Sequence, residues 1–525
     1  MKFFNTAGPV APEDHYMLDP LSRIDLDEVM MLIRQKKYFV LHAPRQTGKT
    51  SMLLRLMEKI NREGEYRCLY VNVEPAQASR EDVSSAMRSI ASLIARRAIE
   101  YLDDDFLEKH RLDLQQNQEP QTLLVSLLSD FSAQSSKPVV LLIDEIDSLI
   151  GDTLVSVLRQ LRAGYTSRPN SFPQSIILCG VRDVRDYRIH ASSEKDPITG
   201  GSAFNVKATS LRLGNFSEDE VTTLLNLHTQ ETGQKFTSEA LQAIWSNTLG
   251  QPWLVNALAY EVTFEMRANR DRSVVIDEAM IVEARENLIL RRETHLDQLV
   301  DKLKEPRVHR VIAPILAGSD VSSNIPDDDV SYVYDLGLIE TRPKLSIANP
   351  IYREVIPRTL IWTSQVSISH DRTWYMDPAT GMLDVSGLLK AFQQFYRENI
   401  EFWSEHYQYK EAGPQLLLQA FLQRVINGGG RIEREYGLGK GRTDLLILFP
   451  YEGGTQRVVL ELKIRREARQ TTIEKAMPQI TGYMDRCGAS DGHLIIFDQT
   501  EATWEEKIFH SQTTYEGITI QVWGM

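Results

Sequence analysis

The chain has 525 residues and a formal net charge of −13 at pH 7, and its composition is 42% hydrophobic and 25% charged. This length and composition predict a globular protein of several domains. No apolar run approaches the roughly 20 residues of a membrane-spanning helix, and the first residues lack the apolar core of a signal peptide. The negative net charge disfavours a protein that coats nucleic acid non-specifically, but it permits a local basic groove. The three cysteines lack metal-ligand spacing, so we expect free thiols, a cytoplasmic location and no membrane partner.

Residues 1–37 are interpreted as a lead-in, and a phosphate-binding loop follows. The loop lies between a short apolar strand that begins at Tyr38 and an amphipathic helix. In such a loop the backbone N–H groups point at phosphate oxygens at the positive end of a helix. Gly48 lets the backbone come close, Lys49 reaches the outer phosphates and the Thr50 hydroxyl is a ligand for Mg²⁺. The predicted nucleotide-binding residues are Ala43, Pro44, Arg45, Gln46, Thr47, Gly48, Lys49, Thr50 and Ser51.

A second motif lies at 138–147, where an apolar strand ends in acidic residues. A strand that is buried on both faces of a parallel sheet has this composition, and carboxylates at its end lie where nucleotide binds. We expect Asp144 to hold Mg²⁺ through water, and Glu145 to orient and deprotonate the attacking water.

The loop resembles the Walker A motif, with Ala43 at the position of its first glycine, and 138–147 resembles Walker B. Their combination resembles AAA+ and STAND ATPases. The resemblance implies bound ATP and Mg²⁺, a P-loop ATPase core at 38–216 and a helical lid at 217–305.

The same resemblance implies two further nucleotide contacts. In AAA+ ATPases a residue at the tip of a core strand senses the γ-phosphate, and the strand at 175–183 ends in Arg182 and Asp183. Either residue is a candidate for this role, although a surface turn explains both equally well. In the lid, the turn at Gly250 resembles the Gly-x-Pro turn of STAND and origin-type ATPases, which implies that Pro252 lies against the adenine.

The middle of the chain predicts a smaller domain and a connecting segment. Residues 306–362 follow the order helix, two short strands, helix, which is the pattern of a winged-helix domain. A packing or relay role is favoured over DNA reading, because no basic recognition helix is present. Residues 363–408 are interpreted as a linker with helices, whose aromatic side chains are expected to pack in a core rather than to stack on bases.

The region 409–525 places acidic and basic residues on two consecutive predicted strands. Asp444 opens the first strand, and Glu461 and Lys463 lie two positions apart on the next. Because side chains alternate along a strand, Glu461 and Lys463 point to the same face. Asp444 and Glu461 can then hold one divalent ion, with Lys463 beside a phosphate.

This arrangement resembles the PD-(D/E)XK nuclease superfamily, with Thr443 in place of its nominal proline. The resemblance implies a restriction-endonuclease-like α/β domain that hydrolyses phosphodiesters with Mg²⁺ or Mn²⁺. It also implies an acidic residue on a preceding helix. Glu411 is the first choice, with Glu433 and Glu435 as alternatives. Finally, it implies that Gln479, the first residue of a Gln-x-x-x-Tyr element, belongs to the catalytic residues of the nuclease site.

The leading hypothesis is therefore an α/β multidomain ATPase fused to a nuclease. The resemblance favours a homo-oligomer that acts on nucleic acid in prokaryotic defence against foreign DNA, with DNA favoured over RNA as the substrate. The alternative is a nucleotide-driven switch or scaffold whose C-terminal domain binds nucleic acid or protein without cleaving it. A motor that moves DNA ranks lower, because no helicase motif series follows the Walker pair.

Overall fold

The structure is a computed structural model that divides the chain into two compact units. The first comprises Met1–Lys302 and Ile325–Arg353, and the second comprises Leu303–Asn324 and Glu354–Met525. Within the described residues, none of the helices combines the length and hydrophobicity that crossing a bilayer requires. The described residues are 1–182, 188–189, 198–199, 207–291, 302–303, 305–316, 325–342, 344–356, 375–377, 380–407, 418, 421–422, 431–438, 441–465, 467–498, 500 and 502–525, with the side chains of some of them, including Asp444, left out.

The first unit is built on a parallel sheet whose strands match the predicted apolar runs. Every residue of its strands at 38–42, 139–144 and 175–180 is buried, as expected where helices cover both faces. The strands are β1 (Tyr38–His42), β2 (Arg67–Asn72), β3 (Val139–Asp144) and β4 (Ser175–Gly180), then the hairpin β5 (Arg188–Ile189) and β6 (Ile198–Thr199), and finally β7 (Lys207–Arg212). The sheet order is β2-β3-β4-β1-β7, so β4 lies between the strands that carry the two motifs.

Helices cover both faces of this sheet. They are α1 (Leu26–Arg34), α2 (Lys49–Glu63), α3 (Val83–Leu102), α4 (Phe106–Asn117), α5 (Pro120–Gln134) and α6 (Gly151–Ala163). Because strand side chains alternate, Phe39 and Leu41 pack with α1 and α2, whereas Tyr38 and Val40 pack with α3, α5 and α6. The P-loop is therefore held between two separate hydrophobic cores.

In the described part of the first unit, four helices lie between β7 and residue 291. They are α7 (Glu218–Thr232), α8 (Ser238–Thr248), α9 (Pro252–Tyr260) and α10 (Glu278–Arg291). A capping box begins α7: the Ser217 backbone N–H donates to the Glu220 carboxylate, and the Glu220 N–H donates to the Ser217 hydroxyl. Pro252 occupies the first turn of α9, where its missing N–H leaves no helical hydrogen bond unmade.

The region predicted as a winged-helix domain contains α11 (Pro306–Leu316), α12 (Asp327–Asp335), the antiparallel pair β8 (Ile339–Glu340) and β9 (Ser346–Ile347), and a helix at 350–356. The strand pair lies between helices, as the pattern predicts, but two helices rather than one precede it, and the winged-helix assignment stays a prediction. The region is nevertheless shared between the units, because α11 belongs to the second unit whereas α12, β8 and β9 belong to the first. Side chains of α12 pack beside the P-loop, which explains why α12 belongs to the first unit.

The second unit is built on a mixed sheet of six strands: β10 (Arg431–Leu438), β11 (Gly441–Tyr451), β12 (Gly454–Arg465), β13 (Asp491–Asp498), β14 (Phe509–Tyr515) and β15 (Ile518–Gly524). Their order is β10-β11-β12-β13-β15-β14, with antiparallel pairing from β10 to β12 and parallel pairing of β12 with β13. The helices are α13 (Val385–Tyr407), α14 (Arg469–Cys487) and the short α15 (Trp504–Lys507).

Helix α14 connects β12 to β13 and buries Ile473, Met477 and Ile480 against one face of the sheet. From α13, Phe392 packs with Phe497 of β13, so this predicted aromatic stripe forms a core where its side chains are described. The three cysteines are buried free thiols, as predicted.

A buried glutamine, Gln160, joins two helices of the first unit, α5 and α6, by hydrogen bonds. Gln160 of α6 accepts hydrogen bonds from the backbone N–H groups of Leu124 and Val125, at 2.8 and 3.2 Å, and donates to the Pro120 carbonyl. We expect Gln160→Leu to lower the free energy of unfolding by about 2 kcal/mol, because the buried hydrogen bonds that join α6 to α5 are lost. Urea unfolding measures this loss. The matched control is Gln121→Leu, an exposed position on α5, and equal losses in the two variants would contradict the assignment.

Candidate functional site

The phosphate-binding loop joins β1 to α2 and makes its turn at Gly48. Gly48 has a φ of +86°, a left-handed conformation that glycine adopts without strain, and α2 begins at the next residue. The loop therefore lies at the positive end of a 15-residue helix, where anions are stabilised. The Lys49 ammonium donates to the carbonyls of Ala43 and Pro44, at 2.9 and 3.0 Å, and so folds back across the loop.

The structure explains why alanine replaces the first glycine of the motif. Ala43 is buried, and its N–H donates to the carbonyl of Gly180 at 3.2 Å, so it extends the pairing of β1 with β4. Its φ is not positive, unlike that of Gln46 in the same loop. A methyl group is therefore tolerated at residue 43 without backbone strain.

A buried carboxylate and a hydroxyl meet at the beginning of α2. The Thr50 hydroxyl donates to Oδ2 of Asp144 at 2.7 Å, and the backbone N–H of Glu145 donates to Oδ1 at 2.9 Å. Asp144 is 0% exposed. Hydroxyl and carboxylate oxygens are hard ligands that suit Mg²⁺, so this donor set fits the ion that the two motifs imply.

Glu145 directly follows β3 with a φ of +56°, which is strained for a residue other than glycine. Burial raises the pKa of the Glu145 carboxyl, an effect that the Lys49 ammonium opposes and the Asp147 and Asp144 carboxylates reinforce. A raised pKa increases the affinity of this carboxylate for a proton, which is a property of a general base. The side chain of Asp147 accepts a hydrogen bond from the Val181 N–H at 3.3 Å, which joins this turn to the end of β4.

Segment 325–340 borders the P-loop, a contact that the sequence did not reveal. Asp335 at the end of α12 lies 3.6 Å from Nδ1 of His42, the last residue of β1. The Tyr334 hydroxyl accepts a hydrogen bond from Arg212 of β7 at 2.7 Å. Arg182, one of the two candidates for a γ-phosphate sensor, lies over the Tyr332 ring at 4.9 Å, and the other candidate, Asp183, lies outside the described residues.

A cleft opens beside the P-loop. Its walls come from the lid, the P-loop and the first 23 residues of the chain. Lining residues include Pro252, Trp253 and Asn256 of α9, Gly48 of the loop, and Tyr16 and Arg23 of the lead-in. The structure thus places Pro252, which the sequence assigns to the adenine, in the same cleft as the P-loop.

The lead-in is a wall of this cleft rather than a simple connection. The Trp253 indole donates to the Thr6 carbonyl at 2.8 Å, and the Val10 N–H donates to the Ser51 hydroxyl at 3.0 Å. Arg23 donates to the Thr47 carbonyl at 2.5 Å, and burial lowers the pKa of its guanidinium to about 10, so Arg23 stays charged near neutral pH. No local sequence pattern predicts these contacts, because the residues that form each contact lie far apart in the sequence.

These features define the class of protein. The parallel sheet, the P-loop after β1 and the carboxylates after β3 are those of a P-loop ATPase, and residues 33–187 match the model of a family described as AAA domain. The chain therefore carries an AAA-type ATPase domain, whose nucleotide is ATP. A comparison with curated proteins gives no match.

Several solved structures are similar to most of the chain. A Walker-type ATPase of Pyrococcus abyssi has 14% identity and a TM-score of 0.45, with 67% of this chain and 99% of that chain covered. Cdc6p of Pyrobaculum aerophilum has 16% identity and a TM-score of 0.35, with 64% and 92% covered. The RuvB Holliday junction branch migration motor of Thermotoga maritima has 11% identity and a TM-score of 0.32, with 63% and 95% covered.

In the second unit, β11 and β12 bring two predicted site positions side by side. Leu445 pairs with Leu460 in the antiparallel register, and Asp444 and Glu461 are the next residues on the two strands beyond this pair. Glu461 is 3% exposed, and its Oε1 accepts a hydrogen bond from the Lys463 ammonium at 2.7 Å. Glu461 and Lys463 therefore form an ion pair on one face of β12, with the ammonium partly exposed.

The other predicted residues of this region have different positions. Glu433 is half-buried in β10, where it pairs with Leu446, whereas Gln479 is exposed on α14. Glu411 lies outside the described residues, as does the side chain of Glu435. Among the side chains that the structure describes, no three His, Cys, Asp or Glu residues cluster as a metal site.

The close approach of segment 325–340 to the P-loop generates a prediction. Gly337 has a φ of +76°, and a Cβ at this position would lie 2.5 Å from Cγ of Pro44. We expect Gly337→Ala to weaken nucleotide binding about tenfold, the effect of about 1.4 kcal/mol of distortion in the loop. Titration with a fluorescent ATP analogue measures this change.

The matched control for this prediction is Gly233→Ala. Gly233 has a φ of +80°, but a Cβ there would meet no atom within 4 Å. Both variants are strained by about 1 kcal/mol, because alanine disfavours positive φ. Only the variant beside Pro44 is expected to lose nucleotide affinity, and equal affinities in the two variants would contradict a role for this contact.

Proposed function

We propose that the chain hydrolyses ATP at the P-loop and cleaves nucleic acid in its second unit, with DNA favoured over RNA as the substrate. The nucleotide state would control this cleavage. The hydrogen bond between Thr50 and Asp144, beside Glu145, carries the assignment of residues at the first site. The buried Glu461 beside Lys463, on a strand paired with the strand of Asp444, supports the second. The AAA-type domain is the established part, and the nuclease is the inference.

At the first site, each side chain has a distinct task. The loop N–H groups and Lys49 bind the phosphates, and Thr50 and Asp144 would hold Mg²⁺, directly and through water respectively. Bound Mg²⁺ neutralises charge that develops on the β- and γ-phosphates. Glu145 orients a water molecule for in-line attack on the γ-phosphorus and accepts its proton. Pro252 and the lead-in enclose the nucleoside in the cleft.

At the second site, Asp444 and Glu461 would hold Mg²⁺ or Mn²⁺, with Gln479 and a carboxylate such as Glu411 as further members of the site. Such an ion activates water and stabilises the negative charge of the transition state. Lys463 would contact the scissile phosphate, and the bond from its ammonium to Glu461 keeps it on the face of the carboxylate. We further propose a homo-oligomer that acts in prokaryotic defence against foreign DNA, a setting suggested by the resemblance alone.

The ATPase assignment predicts opposite behaviour for two variants. We expect Lys49→Ala to abolish ATP binding, because the loop loses the ammonium that contacts the outer phosphates. Glu145→Gln should bind ATP normally and hydrolyse it about 10²–10⁴ times more slowly, because the amide accepts no proton. Equilibrium binding and phosphate release measure the two effects. A Glu145→Gln protein with wild-type turnover would show that another group is the base.

The nuclease assignment is tested by magnesium-dependent cleavage of linear, circular and single-stranded DNA and of RNA, with and without ATP. We expect Lys463→Ala to cut at least about 100-fold more slowly, the range for loss of a preorganised charge-stabilising group. The matched control is Lys475→Ala, which removes an exposed lysine that pairs with Glu467 on the same unit and should keep full activity. Cutting that survives Lys463→Ala would indicate contamination, and binding without cutting would support the switch or scaffold.

A further inference from the structure

Tyr70 of β2 contacts the carboxylate at the end of β3. Its hydroxyl donates to Oδ2 of Asp144 at 2.9 Å, the same oxygen that accepts the hydrogen bond from Thr50. Tyr70 is 4% exposed and Asp144 is 0% exposed. Tyr70 thus belongs to the immediate surroundings of Asp144, although it lies on a strand that carries neither nucleotide motif.

Several donors surround the buried carboxylate, and the Cys179 thiol is one of them. Thr50 and Tyr70 both donate to Oδ2, and the Glu145 N–H donates to Oδ1. A buried carboxylate needs such donors, because removal from water is unfavourable for an uncompensated charge. Two donors on one oxygen also fix the orientation of the carboxylate, and they leave lone pairs on Oδ1 for water molecules around a cation.

We propose that Tyr70 is a positioning residue for Mg²⁺ at the ATP site, because it holds the Asp144 carboxylate in the orientation that receives the hydrated ion. This inference rests on the proposed role of Thr50 and Asp144. The Thr50 oxygen can ligate a cation through a lone pair while its proton still points at Asp144. In the same way, the hydrogen bond from Tyr70 to Asp144 does not compete with the metal, and this bond persists when the metal binds.

The geometry of β2 restricts which side chain can do this. Tyr70 pairs with Leu142 in the parallel register, whereas Asn72 pairs with Asp144, so the tyrosine reaches diagonally along the sheet. Only a long side chain with a terminal donor spans this offset. Burial, and next the neighbouring Asp144 charge, raise the pKa of Tyr70, so its phenol remains a donor. Its ring packs edge-on against Tyr101, at 6.3 Å between centroids.

The test measures ADP binding by calorimetry, in Mg²⁺ and in EDTA, for the whole chain and its variants. Tyr70→Phe removes the hydroxyl and preserves the ring, and Tyr101→Phe makes the same change in the neighbouring ring as the matched control. We expect all three proteins to bind ADP equally in EDTA. In Mg²⁺, Tyr70→Phe alone should lose about tenfold in affinity, the lower end of the effect of groups that orient metal ligands.

A second background separates positioning from general damage. In Asp144→Asn, the further change Tyr70→Phe should have no additional effect on Mg²⁺-dependent binding, because the two residues act through one contact. An unchanged Mg²⁺ effect in Tyr70→Phe, or an equal loss in EDTA and in Mg²⁺, would overturn the inference alone. If the wild-type chain binds ADP with equal affinity in Mg²⁺ and in EDTA, both this inference and the metal role of Thr50 and Asp144 are overturned.

Discussion

The hydrogen bond from Thr50 to Asp144 joins the beginning of α2, the helix that follows β1, to the end of β3, and these two strands are not neighbours in the sheet. Strand β4 lies between β1 and β3, so the bond crosses the end of β4 at the carboxyl edge of the strands. Ligands of open parallel sheets bind at this edge, where successive loops turn to opposite sides. The same crossing brings Val181, at the end of β4, into contact with Asp147. The nucleotide site therefore depends on the strand order as much as on either motif.

Chain regions distant in the sequence converge on the P-loop and restrict its movement. Arg23 binds the Thr47 carbonyl from the lead-in, Val10 binds Ser51, and Gly337 packs on Pro44. Loops of this kind must bind phosphate with preset N–H groups, because any ordering on binding reduces affinity. The contacts of the lead-in and of segment 325–340 provide this order. They also give a physical path by which nucleotide could influence both segments.

The sequence predicted what local patterns encode and missed what only packing determines. The apolar runs and the Gly-Lys-Thr triplet located β1, β3, β4 and the start of α2, because alternation, burial and helix capping act over a few residues. The roles of Arg23, Tyr70 and Gly337 depend on partners up to about 290 residues away, which no periodicity reports. In the second unit, the two-residue turn at Glu452 and Gly453 fixes the register of β11 and β12, so the pairing of these two strands was accessible from sequence.

The two carboxylates at the centre of the two sites are compensated in different ways. Asp144 accepts hydrogen bonds from a threonine, a tyrosine and a backbone N–H, all neutral donors that orient its charge without cancelling it. Glu461 is bonded to an ammonium, so part of its charge is already balanced. A divalent ion can join the first carboxylate with little rearrangement, whereas at the proposed second site it would share Glu461 with Lys463. Because Coulomb attraction is strong in a buried site, metal affinity at that proposed site would depend more on a substrate phosphate, which would draw the lysine towards itself.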